Sequence, residues 1–502
     1  MIQYPRLIIS GLGGDNGKTA ISTGLCRLWH KESKKVIPFK KGPDYIDMAW
    51  LSYAAKHPCY NLDLFLMSKD DVKFSFSHYA KNSDISVIEG NRGLYDGMDE
   101  AGSVSTAEIA KLLHSPVIIV VDCTKVTRTV AALILGCKML DPDVSIKGVI
   151  LNKLAGHRHE SIIRKSIEFN CGLSVCGAIP RLTNIIFPGR HLGLVPPQEH
   201  PEAEEAIENA ASIAKKYLDL EKLWEIAHDA HPLLVNSQRL LKQSIVNSHS
   251  LLVKHSDKFQ VANDQLRVGV IRDSAFQFYY QENLDALKKE GVELIEFSSL
   301  TDDLPSDIDA LYIGGGFPET HAEQLSSNVK LRHAIKIAAE EGLPIYAECG
   351  GLIYLSEKLI YGGKSYDMTG VLPIVMGVSK KPAGHGYTVI EVESPNPFFK
   401  IGLILHGHEF HYSHVLNLEE ISQIEKGYNV ELESGMQMGL STLKDSIYFA
   451  FKMNKGVGIM NRKDGLCYKN VLATYTHLHA LGAKEWVEAM IQVALVNKKT
   501  SN

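Results

Sequence analysis

Short apolar runs alternate with longer amphipathic stretches through the first half of the chain. The runs at 7–10, 35–39, 86–89, 117–122, 147–152 and 175–179 are β-rich and too short to be helices. Most are separated by segments with apolar residues at helical spacing, as at 106–113 and 129–140. This alternation predicts a parallel sheet wrapped by helices, with ligands gathered at the carboxyl ends of the strands. From 199 to 264 the chain turns charged and helical, without a single glycine, and is expected to supply terminal helices and a connector. A second series begins at Leu266, with strand-like runs at 267–272, 293–297, 310–313 and 344–347, followed by β-rich segments at 387–392 and 447–451. No internal repeat or low-complexity tract is present. The expected organisation is α/β throughout: a parallel-sheet domain over 1–198, a helical connector over 199–265, and a second α/β domain over 266–495.

Composition narrows the class without changing that picture. A chain of 502 residues has room for roughly two to four domains of about 150 residues each. Hydrophobic residues at 45% and charged residues at 22% are ordinary for a soluble protein, and apolar runs such as 117–121 are far too short to span a bilayer. Nothing at Met1-Ile2-Gln3-Tyr4-Pro5 has the form of a signal peptide, and eight cysteines without paired spacing point to a reducing cytoplasm. A net charge of −5 argues against bulk nucleic-acid binding. Neither nucleic acid nor membrane is an expected partner.

The strongest local signal follows the first strand. In Gly11-Leu12-Gly13-Gly14-Asp15-Asn16-Gly17-Lys18-Thr19 the glycines Gly11, Gly13, Gly14 and Gly17 let successive N–H groups face one anion, ahead of a helical pattern beginning at Ala20. Lys18 is placed to reach the β/γ-phosphates of ATP, and Thr19 to ligate Mg²⁺. The spacing is one residue longer than the usual G-x4-G-K-[ST]. Acidic residues stand at two further strand ends, Glu89 before Gly90-Asn91-Arg92-Gly93 and Asp44 within Lys40-Lys41-Gly42-Pro43-Asp44. Beside a P-loop these are candidate Mg²⁺ ligands with Thr19, and Lys40 is placed to neutralise an anionic substrate. Asn152-Lys153 has the form of a pair that reads a nucleotide base. Arg190-His191-Leu192-Gly193-Leu194 lies in a loop rich in Pro and Gly and is left without a role.

The second domain carries different chemistry. Ile345-Tyr346-Ala347-Glu348-Cys349-Gly350-Gly351-Leu352 is an apolar strand ending in a cysteine, followed by two glycines and an apolar helical pattern. That is the layout of a nucleophile elbow, and the start of a helix favours thiolate. The backbone N–H groups of Gly315 and Gly316, after another strand, together with Gly350, are expected to form an oxyanion hole. Ala473-Thr474-Tyr475-Thr476-His477-Leu478-His479 offers a histidine base.

Gly-Pro-Asp-Tyr-Ile-Asp at 42–47, Glu-Gly-Asn-Arg-Gly-Leu-Tyr-Asp-Gly at 89–97, Glu-Cys-Gly-Gly-Leu at 348–352, Gly-His-Glu-Phe-His-Tyr-Ser at 407–413 and Tyr-Thr-His-Leu-His at 475–479 together resemble the cobyrinate a,c-diamide synthase family over nearly the whole chain. The resemblance implies a dethiobiotin-synthetase-like ATPase domain fused to a class I glutaminase domain. It implies amidation of two carboxylates of a corrin precursor, cobyrinate, in cobalamin synthesis, with glutamine or ammonia as nitrogen donor and Mg-ATP as cosubstrate. Cys349 is then the nucleophile and His477 its base, with Asp44, Asp47, Glu89 and Asp96 handling metal or substrate. Chemistry agrees: a carboxylate is a poor electrophile, so it is first phosphorylated, and ammonia released at Cys349 displaces the phosphate. A homodimer is left open.

One departure from the wider glutaminase class stands out. Those enzymes usually carry a glutamate two residues after the catalytic histidine, a position held here by His479; the cobyrinate-type branch is similar in lacking that acid. Something else must then aim His477, and slow basal glutaminase activity is expected. His406, His408, His411 and His414 invite a metal reading, with His406 and His408 on one strand face, but they fall in the Gly-His-Glu-Phe-His-Tyr-Ser segment, expected to pack near the glutaminase site or the domain interface. Cobyrate synthase and nickel-sirohydrochlorin a,c-diamide synthase share both domains and are the nearest alternatives. CTP synthase keeps the acid absent at His479, and a ParA-like ATPase switch has an early P-loop lysine and no glutaminase.

Overall fold

Seven strands, all parallel, form the first sheet of this computed structural model, which describes residues 3–182, 189–190, 193–233, 265–417, 420 and 447–501. In chain order the elements are β1 (Arg6–Gly11), α1 (Lys18–Lys31), β2 (Val36–Lys41), α2 (Ile46–Ala55), β3 (Tyr60–Leu62), α3 (Lys69–Tyr79), β4 (Ile85–Glu89), α4 (Thr106–Leu112), β5 (Val117–Asp122), α5 (Thr129–Leu140), β6 (Ile146–Leu154), α6 (His157–Cys171) and β7 (Ser174–Pro180). The strands run in the order β3-β2-β4-β1-β5-β6-β7. β1, β2 and β4 are buried along their whole length, as continuous apolar runs in a parallel sheet covered on both faces require. The β2–β4 register sets Lys40 opposite Glu89, and the β1–β4 register sets Ile9 opposite Glu89, so the ends of these strands meet just where β1 gives way to the glycine-rich loop.

A two-residue ladder, β8 (Gly189–Arg190) with β9 (Gly193–Leu194), precedes α7 (Ala203–Tyr217) and α8 (Leu220–His228). His191 and Leu192 of the unassigned loop lie outside the described residues, as do 234–264 of the expected connector. The part of that connector which is described is built into the first unit. α7 crosses α1 so closely that a Cβ on Gly24 would lie 2.4 Å from Ala210 O, and Arg27 of α1 pairs with Glu204 and Glu208 of α7. The chain divides into two compact units, Met1–Lys242 and Gln243–Asn502.

The second unit continues with β10 (Arg267–Ile271), α9 (Gln281–Lys289), β11 (Glu293–Phe297), β12 (Ala310–Ile313), α10 (Ala322–Ser327), α11 (Val329–Glu341), β13 (Ile345–Glu348), α12 (Gly350–Leu355), β14 (Lys358–Tyr361), β15 (Lys364–Asp367), β16 (Val375–Val378), β17 (Gly384–Val392), β18 (Ile404–His411), β19 (Ser413–Val415), β20 (Tyr448–Lys455), β21 (Lys463–Tyr468), β22 (Val471–Thr474), β23 (His477–Leu478) and α13 (Lys484–Ser501). Its ten-stranded sheet is mixed, in the order β11-β10-β12-β13-β22-β21-β20-β17-β18-β23. β11, β10, β12, β13 and β22 run parallel, and the remaining pairings are antiparallel. Strand alternation divides the core: Leu311, Ile313, Ile345, Ala347 and Ala473 pack on one face, Tyr312, Tyr346, Leu472 and Trp486 on the other. A separate four-stranded sheet, β15-β14-β16-β19, has no counterpart in the sequence expectations. Its β14–β15 hairpin turns on Gly362-Gly363, a signal legible in retrospect. Among the described residues no helix is long and apolar enough to cross a membrane.

Candidate active sites

The loop between β1 and α1 is shaped by its glycines. α1 starts at Lys18, two residues before the helical pattern at Ala20 suggests, so 12–17 make the whole turn. Gly17 holds φ 91°, a left-handed conformation, and a Cβ there would lie 2.4 Å from Asn152 Nδ2. A Cβ on Gly13 or Gly14 would meet nothing within 4 Å, so open space lies over the loop where an anion would be cradled. Asn152 Nδ2 donates to Asn16 O at 2.9 Å, and Lys153 Nζ donates to Asp15 O at 3.1 Å and to Asp122 Oδ2 at 2.7 Å. The Asn-Lys pair therefore buttresses the loop from β6. Lys18 folds back, its Nζ donating to Gly13 O at 2.7 Å, and burial lowers its pKa. Gly11 closes β1 and accepts from Leu94 N at 2.8 Å, fastening the segment after β4 to the loop.

A relay of charge runs beside it. Thr19 Oγ1 donates to Glu89 Oε1 at 2.9 Å, and Lys40 Nζ donates to the same oxygen at 2.7 Å and to Asp47 Oδ2 at 2.6 Å. Asp47 N donates to Asp44 Oδ1 at 2.9 Å. Burial alone would depress the Lys40 ammonium, but Asp47, Glu89 and Asp44 outweigh it and hold the group well above its ordinary value. Burial raises the carboxyls of Glu89 and Asp44; the charge of Asp47 adds to the rise in both, and Lys40 opposes it. Lys40, expected to meet an anionic substrate, is thus already engaged by two carboxylates. Asp96 is exposed, and its Oδ2 accepts from Gly93 N at 2.8 Å, closing the turn that carries Leu94.

Glu89 is fully buried, yet its Oε2 has no hydrogen-bond partner. An unpartnered carboxylate oxygen next to a threonine hydroxyl at a P-loop fits a hard divalent cation. No cluster of three or more His, Cys, Asp or Glu among the described residues could hold a metal unaided. Thr19 and Glu89 fit Mg²⁺, which keeps waters and phosphate oxygens among its ligands.

In the second unit Cys349 joins β13 to α12 at φ 49° and ψ −97°, a strained backbone of the kind a nucleophile elbow imposes. The turn is held from β22, where Thr474 O accepts from Cys349 N at 2.7 Å. A Cβ on Gly350 would lie 2.9 Å from Gly316 N, and one on Gly315 would lie 2.6 Å from His477 Cε1. These close approaches bring the start of α12, the Gly315-Gly316 turn and His477 together. Gly316 and Gly350 therefore lie together beside the candidate base, whereas Gly315 N, expected as a further oxyanion donor, already donates to Phe278 O at 3.2 Å. Cys349 is 6% exposed, and burial pushes its thiol well up, with the charges of Glu319 and Glu348 adding to the shift. The thiolate favoured by a helix start is opposed here: α12 has only six residues, and burial with the charges of Glu319, Glu348 and Asp464 pushes the thiol up.

His477 Nδ1 lies 3.1 Å from Glu348 Oε2, the residue immediately before the cysteine. Glu348 also accepts from Tyr312 OH at 3.2 Å and from Leu478 N at 3.3 Å. Sequence reasoning passed over Glu348, though a charged residue closing an apolar strand was its visible signal. Asp464 was likewise passed over, since its place between Lys463 and Gly465 gives no sign of burial. It is fully buried and accepts from Thr474 Oγ1 at 2.7 Å, Thr476 Oγ1 at 2.9 Å and Tyr475 N at 3.0 Å, pinning the segment that leads into His477.

The remaining histidines go separate ways. His479 Nε2 lies 3.6 Å from Glu282 Oε2, both buried. His408 stacks on His477 with centroids 5.2 Å apart, and burial, then the charge of His477, lowers its pKa well below the ordinary value. His411 lies flat on Tyr475 at 3.5 Å with Nδ1 2.8 Å from Ser413 O, His414 Nε2 is 4.0 Å from Glu420, and His406 is exposed. They form no common metal site.

Comparison with known proteins gives two domain matches. Residues 7–194 match the CobQ/CobB/MinD/ParA nucleotide binding domain, and residues 267–485 match the CobB/CobQ-like glutamine amidotransferase domain. Similar over nearly the whole chain are the cobyrinate a,c-diamide synthases of Magnetococcus marinus, 40% identical over 96% of this chain and 96% of that one, and of Archaeoglobus fulgidus, 38% identical over 99% of each. That of Dehalococcoides mccartyi strain CBDB1 is 39% identical over 95% of this chain and 96% of its own.

Proposed function

The chain belongs to the cobyrinate a,c-diamide synthase family, a glutamine-hydrolysing ligase of cobalamin biosynthesis, and we propose that it amidates the a and c side-chain carboxylates of cobyrinate through acyl phosphates formed from ATP. The observation that supports this most is the buried relay Thr19–Glu89–Lys40–Asp47 beside the P-loop, because a glutaminase alone would release ammonia with nothing to amidate. Gly11, Gly13, Gly14 and Gly17 present backbone N–H groups to the phosphates, and Lys18 swings its ammonium from Gly13 O to the group in transfer. Asn152 stands behind the loop on the side proposed for the base. Mg²⁺, when bound by Thr19 and Glu89 with Asp44 nearby, supplies the charge that offsets the negative phosphoryl oxygens. Lys40 fixes where Glu89 and Asp47 point, and Asp47 and Asp96 face the tetrapyrrole.

In the other unit the Cys349 proton passes to His477 as Sγ attacks the glutamine amide carbon, and the N–H groups of Gly316 and Gly350 hold the oxyanion. The C–N bond breaks as His477 returns the proton to the leaving nitrogen. Water then hydrolyses the thioester to glutamate, while ammonia attacks the acyl phosphate and expels phosphate. Eight free cysteines suit a cytoplasmic location.

Incubation with Mg-ATP, glutamine and each candidate tetrapyrrole, with added amides counted by mass, tests the reading. Two amides on cobyrinate are expected. Two on nickel-sirohydrochlorin and none on cobyrinate would move the substrate to that relative, and no ATP-dependent amidation of any would remove the ligase reading.

A further inference from the structure

We propose that Glu348, the residue before the nucleophile, is the positioning acid of the glutaminase centre, holding His477 through Nδ1 in place of the glutamate that the wider class carries two residues after its histidine. The proposal rests on the glutamine-hydrolysing reading of Cys349 and His477. A carboxylate at Nδ1 does three things for a cysteine–histidine pair: it selects the tautomer with Nδ1–H, turns Nε2 toward the thiol, and balances the imidazolium formed when that thiol proton arrives. The geometry supplies the contact at Nδ1 and the counter-charge. His477 Nδ1 is 3.1 Å from Glu348 Oε2, leaving Nε2 on the Gly315 side, where a Cβ would come within 3.2 Å of it. Glu348 is itself aimed by Tyr312 OH and Leu478 N, so the carboxylate has little freedom to turn away.

Need for such an acid is large here. The Cys349 thiol is buried and pushed up, so attack depends on a base able to take its proton. His479, the residue at the usual position of the acid, faces Glu282 instead. Other titratable groups around the pair are Glu319 and Asp464, whose charges reach the Cys349 thiol, with Tyr279 in the turn after β10, Tyr312 on β12, Tyr346 on β13 and His408 on β18. Burial raises the three phenols and lowers His408, disfavouring the charged form of all four, and Glu348 is the carboxylate in contact with His477 Nδ1. The arrangement reuses the strand end: Glu348 closes β13 against His477 Nδ1, and Cys349 opens the turn into α12, its Sγ 3.8 Å from Phe410 O.

Full-length Glu348→Gln, Glu348→Asp and Tyr312→Phe, with Cys349→Ala as reference, are assayed for glutamine hydrolysis against pH and for amidation supported by ammonium chloride. Glu348→Gln is expected to lose roughly a hundredfold or more in kcat for glutamine. The acid limb of its kcat/KM profile moves to lower pH, because the imidazolium has lost its counter-charge. Glu348→Asp recovers part of both. Tyr312→Phe, which removes a donor to the carboxylate and leaves it a stronger acceptor, moves the limb to higher pH. Amidation from ammonia reports that the chain is folded; should Glu348→Gln lose that too, Tyr312→Phe carries the test, and an unmoved limb there overturns the proposal. A wild-type rate in Glu348→Gln, or a lost rate with an unmoved limb and no recovery in Glu348→Asp, likewise overturns it. Glutamine hydrolysis that survives in Cys349→Ala defeats the underlying reading instead.

Discussion

Glu89 and Glu348 are the same residue type in the same place, each the last residue of a buried parallel strand, and they do opposite things. Glu89 has a lysine and a threonine on one oxygen and nothing on the other. Glu348 has both oxygens served, by Tyr312 and His477 on one and Leu478 N on the other. A buried carboxylate with a spare oxygen is built for a ligand that arrives later, whereas a saturated one holds a neighbour in place. The strand-end position is shared, and the surrounding donors decide its use.

The comparison breaks most sharply at Cys349. Cys349→Ala is expected to cut glutamine-dependent amidation by roughly 10⁴-fold or more while leaving amidation from ammonium chloride near wild type. Equal loss with both nitrogen donors in rate assays would show that the two sites are not chemically separable. Next in size, Lys18→Ala should lower amidation by roughly a hundredfold or more, alike for both donors, since the cation facing the transferred phosphate is gone. A wild-type rate with ammonia would reject the phosphate role of the loop.

Glu89→Gln probes the spare oxygen. Losing a hard anionic ligand should raise the Mg²⁺ concentration for half-maximal activity by roughly tenfold, or about 1.4 kcal/mol. Removal of one partner from the buried Lys40 pair should also cost about 3 kcal/mol of unfolding free energy, read by denaturant titration. Asp44→Asn should move the Mg²⁺ titration less, and an unchanged titration in both variants would take them out of the metal site.

A smaller effect separates the cysteine from an activated thiol. Because burial raises the Cys349 thiol, the thiolate fraction is below that of an ordinary cysteine at every pH short of full ionisation. Alkylation by iodoacetamide should therefore be slow at pH 7 and still climbing above pH 9; a plateau below pH 7 would mean a thiolate stabilised by groups other than those around it here. Smallest of all is His479→Ala. Its ring faces Glu282 rather than the elbow, so glutamine hydrolysis should fall by less than roughly tenfold, far short of the loss in His477→Ala. A larger loss than His477→Ala would exchange their roles.

The amino-acid sequence determined whatever depends on a few neighbouring residues. Apolar runs at 7–10, 86–89 and 117–122 became β1, β4 and β5 because strand burial is written in consecutive residues. The turn at 11–17 and the Cys349 elbow were legible because only glycine tolerates the close approaches at Gly17 and Gly350. Tertiary structure decided the partners. Lys40 reaches Glu89 through the β2–β4 register, and Glu348 reaches His477, 129 residues away, through the pairing of β13 with β22 and the return of the chain at β23. Burial likewise opposes the thiolate at Cys349 and makes Asp464 an anchor for the segment that leads into His477. Register, sheet order and desolvation are properties of the assembled core, and no window of sequence contains them.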